Sequence, residues 1–109
     1  MSGRIYPERL GITEEQITEF CRRSEITELA LFGSVLRDDF RLDSDVDVLV
    51  TFAPSADWSL LDHVRMEQEL AALLGREVNL VSRRAIDRSQ NWMRRREILR
   101  TAQVVYAAR

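Results

Sequence analysis

The stretch "LFGSVLRDDFRLDSDVDVLV", residues 31–50, contains the pattern that decides the fold of this chain. It ends on an alternating run in which Asp45 and Asp47 are interleaved with valines. On a β-strand, residues two positions apart point to the same face of the sheet. The run therefore predicts a strand at 45–52 that buries its valines in a core and projects the two aspartates side by side from the opposite face.

The segments on either side predict an alternation of helices and strands. A first helix begins after Thr13, an N-cap with Gln16 in the capping-box position, and a helix at 59–74 ends at Gly75. The 59–74 helix is expected to bury Leu60, Val64, Leu70 and Leu74. The remaining predicted elements are a strand at 26–32, a short helix or turn at 35–40, a strand at 77–81, an arginine-rich helix at 85–100 and a strand at 102–108.

This order of elements predicts the fold class. It indicates one mixed α/β (α+β) domain over residues 1–109, with a small mixed sheet of about four strands and helices packed on it.

The composition excludes several classes of function. All 16 basic residues are arginines, which excludes Schiff-base chemistry and a P-loop lysine. The net charge of -2 argues against a dedicated nucleic-acid binder. A single cysteine, Cys21, allows neither an internal disulfide nor a zinc-binding pair. Without an apolar signal region or a membrane-length apolar run, the chain is expected to be soluble and cytoplasmic, with no membrane partner.

Asp45 and Asp47 form the first half of a candidate site. Two neighbouring carboxylates repel each other unless they are protonated or bridged by a cation. Their hard oxygen ligands suit Mg²⁺ or Mn²⁺, which usually keep several waters and recruit substrate phosphates. Taken alone, the pair is equally compatible with two solvated aspartates at the end of a strand.

Gly33-Ser34 forms the second half. A small Gly-Ser pair after a strand lets backbone N–H groups approach a phosphate, and the Ser34 hydroxyl adds a contact. For an isolated Gly-Ser pair, an ordinary strand-to-helix turn is the simpler explanation. Because this pair lies just upstream of the aspartates, the two halves together indicate a nucleotide-phosphate site.

The whole pattern resembles that of the DNA polymerase β-like nucleotidyltransferases, and most closely the minimal nucleotidyltransferases. It consists of Gly33-Ser34, ten further residues that include Arg37 and Ser44, and then Asp45-x-Asp47 followed by an apolar strand. The resemblance implies that Asp45 and Asp47 hold Mg²⁺ or Mn²⁺ and that Gly33, Ser34, Arg37 and Ser44 contact the nucleotide, with ATP as substrate. For Arg37, a structural ion pair with a nearby carboxylate is the simpler interpretation. It extends over most of residues 26–106.

The resemblance also implies a biological role. Minimal nucleotidyltransferases are commonly antitoxins encoded beside HEPN-domain ribonuclease toxins, and members of the family transfer AMP from ATP to a tyrosine of the toxin. The expected partner is therefore a HEPN-domain protein from the adjacent gene, in a hetero-oligomer. Transfer to a small molecule fits less well, because so short a chain leaves little beyond a catalytic core.

Asn79 departs from the family pattern, which has a third aspartate at this position. An amide is neutral and does not act as a base. Glu77 projects from the same face and compensates only if its side chain reaches the site from about 6–7 Å away along the strand. Asn79 therefore separates two hypotheses, an adenylylating enzyme and an impaired or inactive binding protein that neutralises its partner by contact.

A second feature lies near the carboxyl terminus. The cluster Arg94-Arg95-Arg96 with Arg100 is suited to an acidic partner or RNA, although a solvated helix face is the simpler interpretation. Trp58 and Trp92 are candidate anchors for a protein interface, with helix packing as the simpler interpretation for each.

Overall fold

The computed structural model describes residues 11–33 and 45–108, and within them four helices and four strands. The predicted helix or turn at 35–40 lies outside the described residues. The elements are α1 (Glu14–Arg23), β1 (Ile26–Phe32), β2 (Val46–Phe52), α2 (Leu60–Leu74), β3 (Val78–Ser82), α3 (Arg83–Asp87), α4 (Trp92–Thr101) and β4 (Gln103–Ala107).

The four strands form one mixed sheet in the order β3-β2-β1-β4, and the predicted small mixed sheet is confirmed. The central strand β1 pairs antiparallel with both β2 and β4. The pairing of β2 with β3 is parallel and aligns Val46 with Val78 and Asp47 with Asn79. This register brings residues 32 positions apart in sequence side by side at one end of the sheet.

Hydrophobic residues cover both faces of the sheet, because apolar side chains on the central strands alternate between them. On one face, α1 and α2 pack over the fully buried valines of β2, which are Val46, Val48 and Val50. On the other face, Ile86 of α3 and Ile98 of α4 pack against Ala30, Phe32 and Leu49. The predicted alternation of β2 is confirmed, and Asp47 lies on the α3–α4 face.

Local sequence signals fix the helix ends. Thr13 and Gln16 form the predicted capping box of α1. Ser59 and Asp62 form a second capping box at α2, and the backbone N–H of Ser59 lowers the pKa of the Asp62 carboxyl. Gly75 ends α2 in the left-handed conformation, with φ +69°. These caps satisfy backbone groups that a helix end leaves without an intrahelical partner.

The predicted apolar face of α2 is wrong in its first half. Met66, Leu70 and Leu74 form the buried stripe, whereas Leu60 is 79% exposed and Val64 is 39% exposed. A helix turns by about 100° per residue, so Val64 lies about a third of a turn away from this stripe. Packing against the sheet, rather than apolar content, selects the buried face.

The predicted helix at 85–100 is also wrong, since two helices occupy this segment. Ser82 caps α3, and the Asn91 side chain accepts a hydrogen bond from the Arg94 backbone N–H to begin α4. Ser and Asn side chains compete with the helical backbone and favour caps over helix interiors. The capping residue inside the segment therefore starts a new helix.

The edge strand β3 is capped by two side chains of α2. The Leu80 backbone N–H donates to Glu67 Oε2 at 2.8 Å, and His63 Nε2 lies 2.7 Å from the Leu80 carbonyl oxygen. These contacts occupy both backbone groups of Leu80, which an exposed edge would offer to another chain. His63 thus has a structural role in the fold.

We expect Glu67→Ala to lower the free energy of unfolding by about 1–3 kcal/mol, because it removes a charged acceptor from a partly buried N–H. Urea denaturation measures the change. The control is Gln68→Ala, which removes a side chain of the same length at the exposed neighbouring position and should change stability by less than about 0.5 kcal/mol. Equal effects of the two substitutions would contradict the proposed contribution of the edge cap.

Two further properties limit the chemistry of the chain. Cys21 is fully buried, and this burial raises the pKa of its thiol to about 12, so it stays protonated near neutral pH.

In the part of the chain that the structure describes, no helix is long and apolar enough to cross a membrane.

Candidate active site at the amino end of β2

The centre of the candidate site is Asp47, the second residue of β2. It pairs with Phe32 of β1 on one side and with Asn79 of β3 on the other. Gly33 directly follows Phe32, so the antiparallel register places the turn after β1 beside Asp47. Asp47 is partly buried, whereas Gly33 and Asn79 are exposed. The sheet thus brings three predicted site residues together at one solvent-accessible end of the sheet.

The two carboxylate oxygens of Asp47 have different surroundings. Asn79 Nδ2 donates a hydrogen bond of 3.1 Å to Oδ1. Oδ2 faces Gly33, where an added Cβ would collide with it and lie 3.2 Å from the Asp47 Cγ. Gly33 has φ +78°, a conformation that side-chain-bearing residues rarely adopt. Gly33 is therefore required for the backbone to pass this close to the carboxylate.

Asp45 lies immediately before β2 and is exposed. The Val46 backbone N–H donates to the Glu77 carbonyl oxygen at 3.0 Å, which continues the parallel register by one residue and places Glu77 beside Asp45. Asn79 contributes a side chain that donates a hydrogen bond to Asp47. The sequence pattern identified the Asn79 position, but the hydrogen bond between Asn79 and Asp47 depends on the register of the sheet.

The carboxylates at this end of the sheet fit a hard divalent cation. Mg²⁺ is usually bound in proteins by one or two carboxylates and completes its coordination with waters and phosphate oxygens, for which the open end of the sheet leaves room. Within residues 11–33 and 45–108, no group of three or more His, Cys, Asp or Glu side chains is arranged to hold a metal. A cation here would therefore rely on ligands beyond these two carboxylates.

The structure does not describe three of the predicted site residues. Ser34, Arg37 and Ser44 lie outside the described residues, so their proposed contacts with the nucleotide stay predictions. They belong to the segment that joins Gly33 to Asp45.

Comparison with known families identifies the domain. The sequence model of the nucleotidyltransferase domain matches residues 13–105, a range that reaches from the N-cap of α1 into β4. The chain belongs to this nucleotidyltransferase family.

Curated relatives of this nucleotidyltransferase are named as protein adenylyltransferases. It is 40% identical over 68 residues to the protein adenylyltransferase MntA of Thermococcus cleftensis, a match that covers 62% of this chain and 67% of the relative. It is 38% identical over 61 residues to a Methanocaldococcus jannaschii protein assigned as a protein adenylyltransferase, covering 56% and 63% of the two chains. The matched segments thus span about two thirds or less of each relative.

Solved structures share the fold of the nucleotidyltransferase. One, assigned as a minimal nucleotidyltransferase, is 34% identical, with a TM-score of 0.65 and coverage of 93% of this chain and 97% of that one. A toxin–antitoxin structure with AMP-PNP has a TM-score of 0.67 at 18% identity, covering 90% and 76% of the two chains. The Shewanella oneidensis complex of a tri-AMPylated HEPN toxin with an MNT antitoxin has a TM-score of 0.61 at 20% identity, covering 87% and 70%. At these lower identities, the last two establish the fold alone.

Proposed function

We propose that this nucleotidyltransferase is an antitoxin that transfers AMP from Mg-ATP to a HEPN-domain ribonuclease toxin, with which it forms a hetero-oligomer. The observation that carries the proposal is the placement of Asp47 between the Gly33 turn and the exposed end of β3, with Asp45 two residues before it. A glycine turn suits the approach of backbone N–H groups to phosphates, and a neighbouring pair of carboxylates suits Mg²⁺, so the two together support a site for a nucleoside triphosphate with its cation.

Each residue has a proposed role in the transfer. Asp45 and Asp47 would hold the cation, Gly33 and Ser34 contact the triphosphate, and Arg37 and Ser44 contact the nucleotide. When bound, Mg²⁺ neutralises charge on the reacting phosphates. The acceptor hydroxyl forms a bond to the α-phosphorus as the α–β phosphoanhydride bond breaks, releasing pyrophosphate and the hydroxyl proton. The contribution of the protein is to position these groups and stabilise their charge.

The known relatives support this proposal. The curated relatives are named as protein adenylyltransferases, and one structural neighbour is a complex in which a HEPN toxin carries AMP. Another structural neighbour is a toxin–antitoxin with AMP-PNP, which supports ATP as the nucleotide. We propose that the HEPN-domain protein encoded by the adjacent gene is the acceptor.

A second candidate function follows from Asn79. Its amide donates to Asp47 at the position where the family pattern has a third aspartate. A neutral amide supplies neither a third carboxylate ligand nor a base. The alternative is a catalytically impaired member that binds the toxin and neutralises it by contact.

Labelled ATP, Mg²⁺ and the adjacent HEPN-domain protein, analysed by mass spectrometry, distinguish the two functions. We expect the partner to gain AMP, and we expect Asp45→Ala/Asp47→Ala to reduce the transfer rate by about 10³-fold or more, the size of effect seen when charge stabilisation is removed from a transfer site. The matched control is Glu15→Ala/Asp57→Ala, which removes two exposed carboxylates elsewhere and should leave transfer unchanged.

A tight complex without transfer would contradict the catalytic proposal and support the contact inhibitor. Transfer that survives loss of Asp45 and Asp47 would contradict the assigned site.

A further inference from the structure

The outer face of α4 carries an exposed strip of apolar and basic side chains. We call Trp92, Met93, Arg96, Glu97 and Arg100 the α4 strip. Its members recur at intervals of three or four residues and line a shallow cleft of about 320 Å³. Trp92 is 58% exposed and Met93 is 66% exposed, so neither contributes mainly to the core.

The α4 strip leads towards the candidate active site. Ile98, on the opposite side of α4, packs against Phe32 and Leu49 of the sheet. After α4, the chain enters β4, where Gln103 pairs with Leu31 of β1. Leu31 lies two residues before Gly33. The Arg100 end of the strip therefore lies towards the end of the sheet that carries Gly33 and Asp47.

The charge of this region differs from that of the rest of the chain. Residues 83–101 contain seven arginines and two acidic residues, although the whole chain has a net charge of -2. A basic region with exposed Trp and Met favours a partner with acidic and apolar surface, because aromatic residues, Met and Arg are enriched at protein interfaces.

We propose that the α4 strip is the docking surface for the protein that accepts AMP, and that this partner presents an acidic surface with an apolar pocket for Trp92 and Met93. The inference rests on the proposed function. Docking beside the end of the sheet that carries Asp47 holds an acceptor hydroxyl close to the nucleotide, which favours transfer by proximity.

Two observations favour a protein over a nucleic acid on this strip. Glu97 lies within it and forms an ion pair with Arg100 at 3.0 Å, so a carboxylate occupies the middle of the basic surface. Trp92 and Met93 form an apolar end, whereas contacts with nucleic acids are dominated by phosphates.

A second exposed apolar pair serves as a control. Leu60 and Leu61, at the start of α2, are 79% and 77% exposed. They follow the carboxyl end of β2, whereas Asp45 and Asp47 lie at its amino end. This pair is more exposed than Trp92 and Met93 but lies away from the candidate site.

Calorimetric titration of the adjacent HEPN-domain protein tests the docking surface. We expect Trp92→Ala/Met93→Ala and Arg96→Glu/Arg100→Glu each to weaken binding by about 30-fold or more, in the range of interface hot spots. AMP transfer to the partner should fall in parallel, while ATP affinity stays within about twofold of wild type. Leu60→Ala/Leu61→Ala and Arg22→Glu/Arg65→Glu, matched for apolar loss and for charge reversal, should bind like wild type.

The outcomes separate the two proposals. No complex with the wild-type chain would overturn the proposed function and the docking surface together. A wild-type complex that both α4 variants retain, or that only the Leu60/Leu61 variant loses, would overturn the docking surface alone. Binding of an RNA oligonucleotide that Arg96→Glu/Arg100→Glu abolishes, with the protein complex intact, would assign the strip to nucleic acid and also overturn the inference.

Discussion

Replacement of Gly33 by alanine is expected to abolish AMP transfer and to weaken Mn²⁺ binding by about tenfold or more, the loss expected when a ligand carboxylate is displaced. The added Cβ would collide with Asp47 Oδ2 and lie 3.2 Å from its Cγ, so the carboxylate has to move. The other oxygen, Oδ1, is held by Asn79, which leaves Asp47 little freedom to adjust without losing that hydrogen bond. Transfer assays and Mn²⁺ titration followed by electron paramagnetic resonance measure the two effects.

The backbone strain at Gly33 has to be separated from the collision. Gly11 has φ +79°, nearly the same as the +78° of Gly33, but nothing lies within 4 Å of a Cβ added there. Gly11→Ala therefore reproduces the strain, about 1–2 kcal/mol of stability, without disturbing Asp47. Equal loss of Mn²⁺ binding in both variants would show that the effect of Gly33→Ala is destabilisation and not displacement of the carboxylate.

Conversion of Asn79 to aspartate is expected to strengthen Mn²⁺ binding by about tenfold and to increase AMP transfer by about 10²-fold. The substitution adds a third negative charge beside Asp45 and Asp47 and replaces the N–H donor that faces Asp47 Oδ1 with an oxygen. Without a cation, like charges repel, so the melting temperature should fall. With Mn²⁺ present, it should rise above that of wild type, because ligand binding stabilises the folded state.

Asn91→Asp is the matched control for this change. It adds the same charge at the N-cap of α4, where aspartate caps a helix as well as asparagine does. It should leave Mn²⁺ affinity unchanged. Slower transfer by Asn79→Asp would show that the hydrogen bond from the Asn79 amide to Asp47 contributes to catalysis. Unchanged Mn²⁺ affinity would contradict a cation position next to residue 79.

The sequence and the structure agree most closely where short-range signals act. The alternation of β2, the capping box at Thr13 and the stop at Gly75 depend on neighbouring residues and are confirmed. The exposure of Leu60 was not predicted, because an apolar count does not tell which side of a helix meets the sheet. The break between α3 and α4 follows from a local signal that the prediction of one helix left out, the capping side chain of Asn91.

The sequence by itself determined the kind of chemistry available: two carboxylates one residue apart at the start of a strand, a glycine turn upstream and an asparagine where a third carboxylate is expected. Only the tertiary structure decided which groups touch. The parallel register of β2 and β3 brings Asn79 to Asp47, and the antiparallel register of β1 and β2 brings Gly33 to the other oxygen of the same carboxylate. Strand register is set by the packing of a whole face, so contacts between distant residues do not follow from any local pattern.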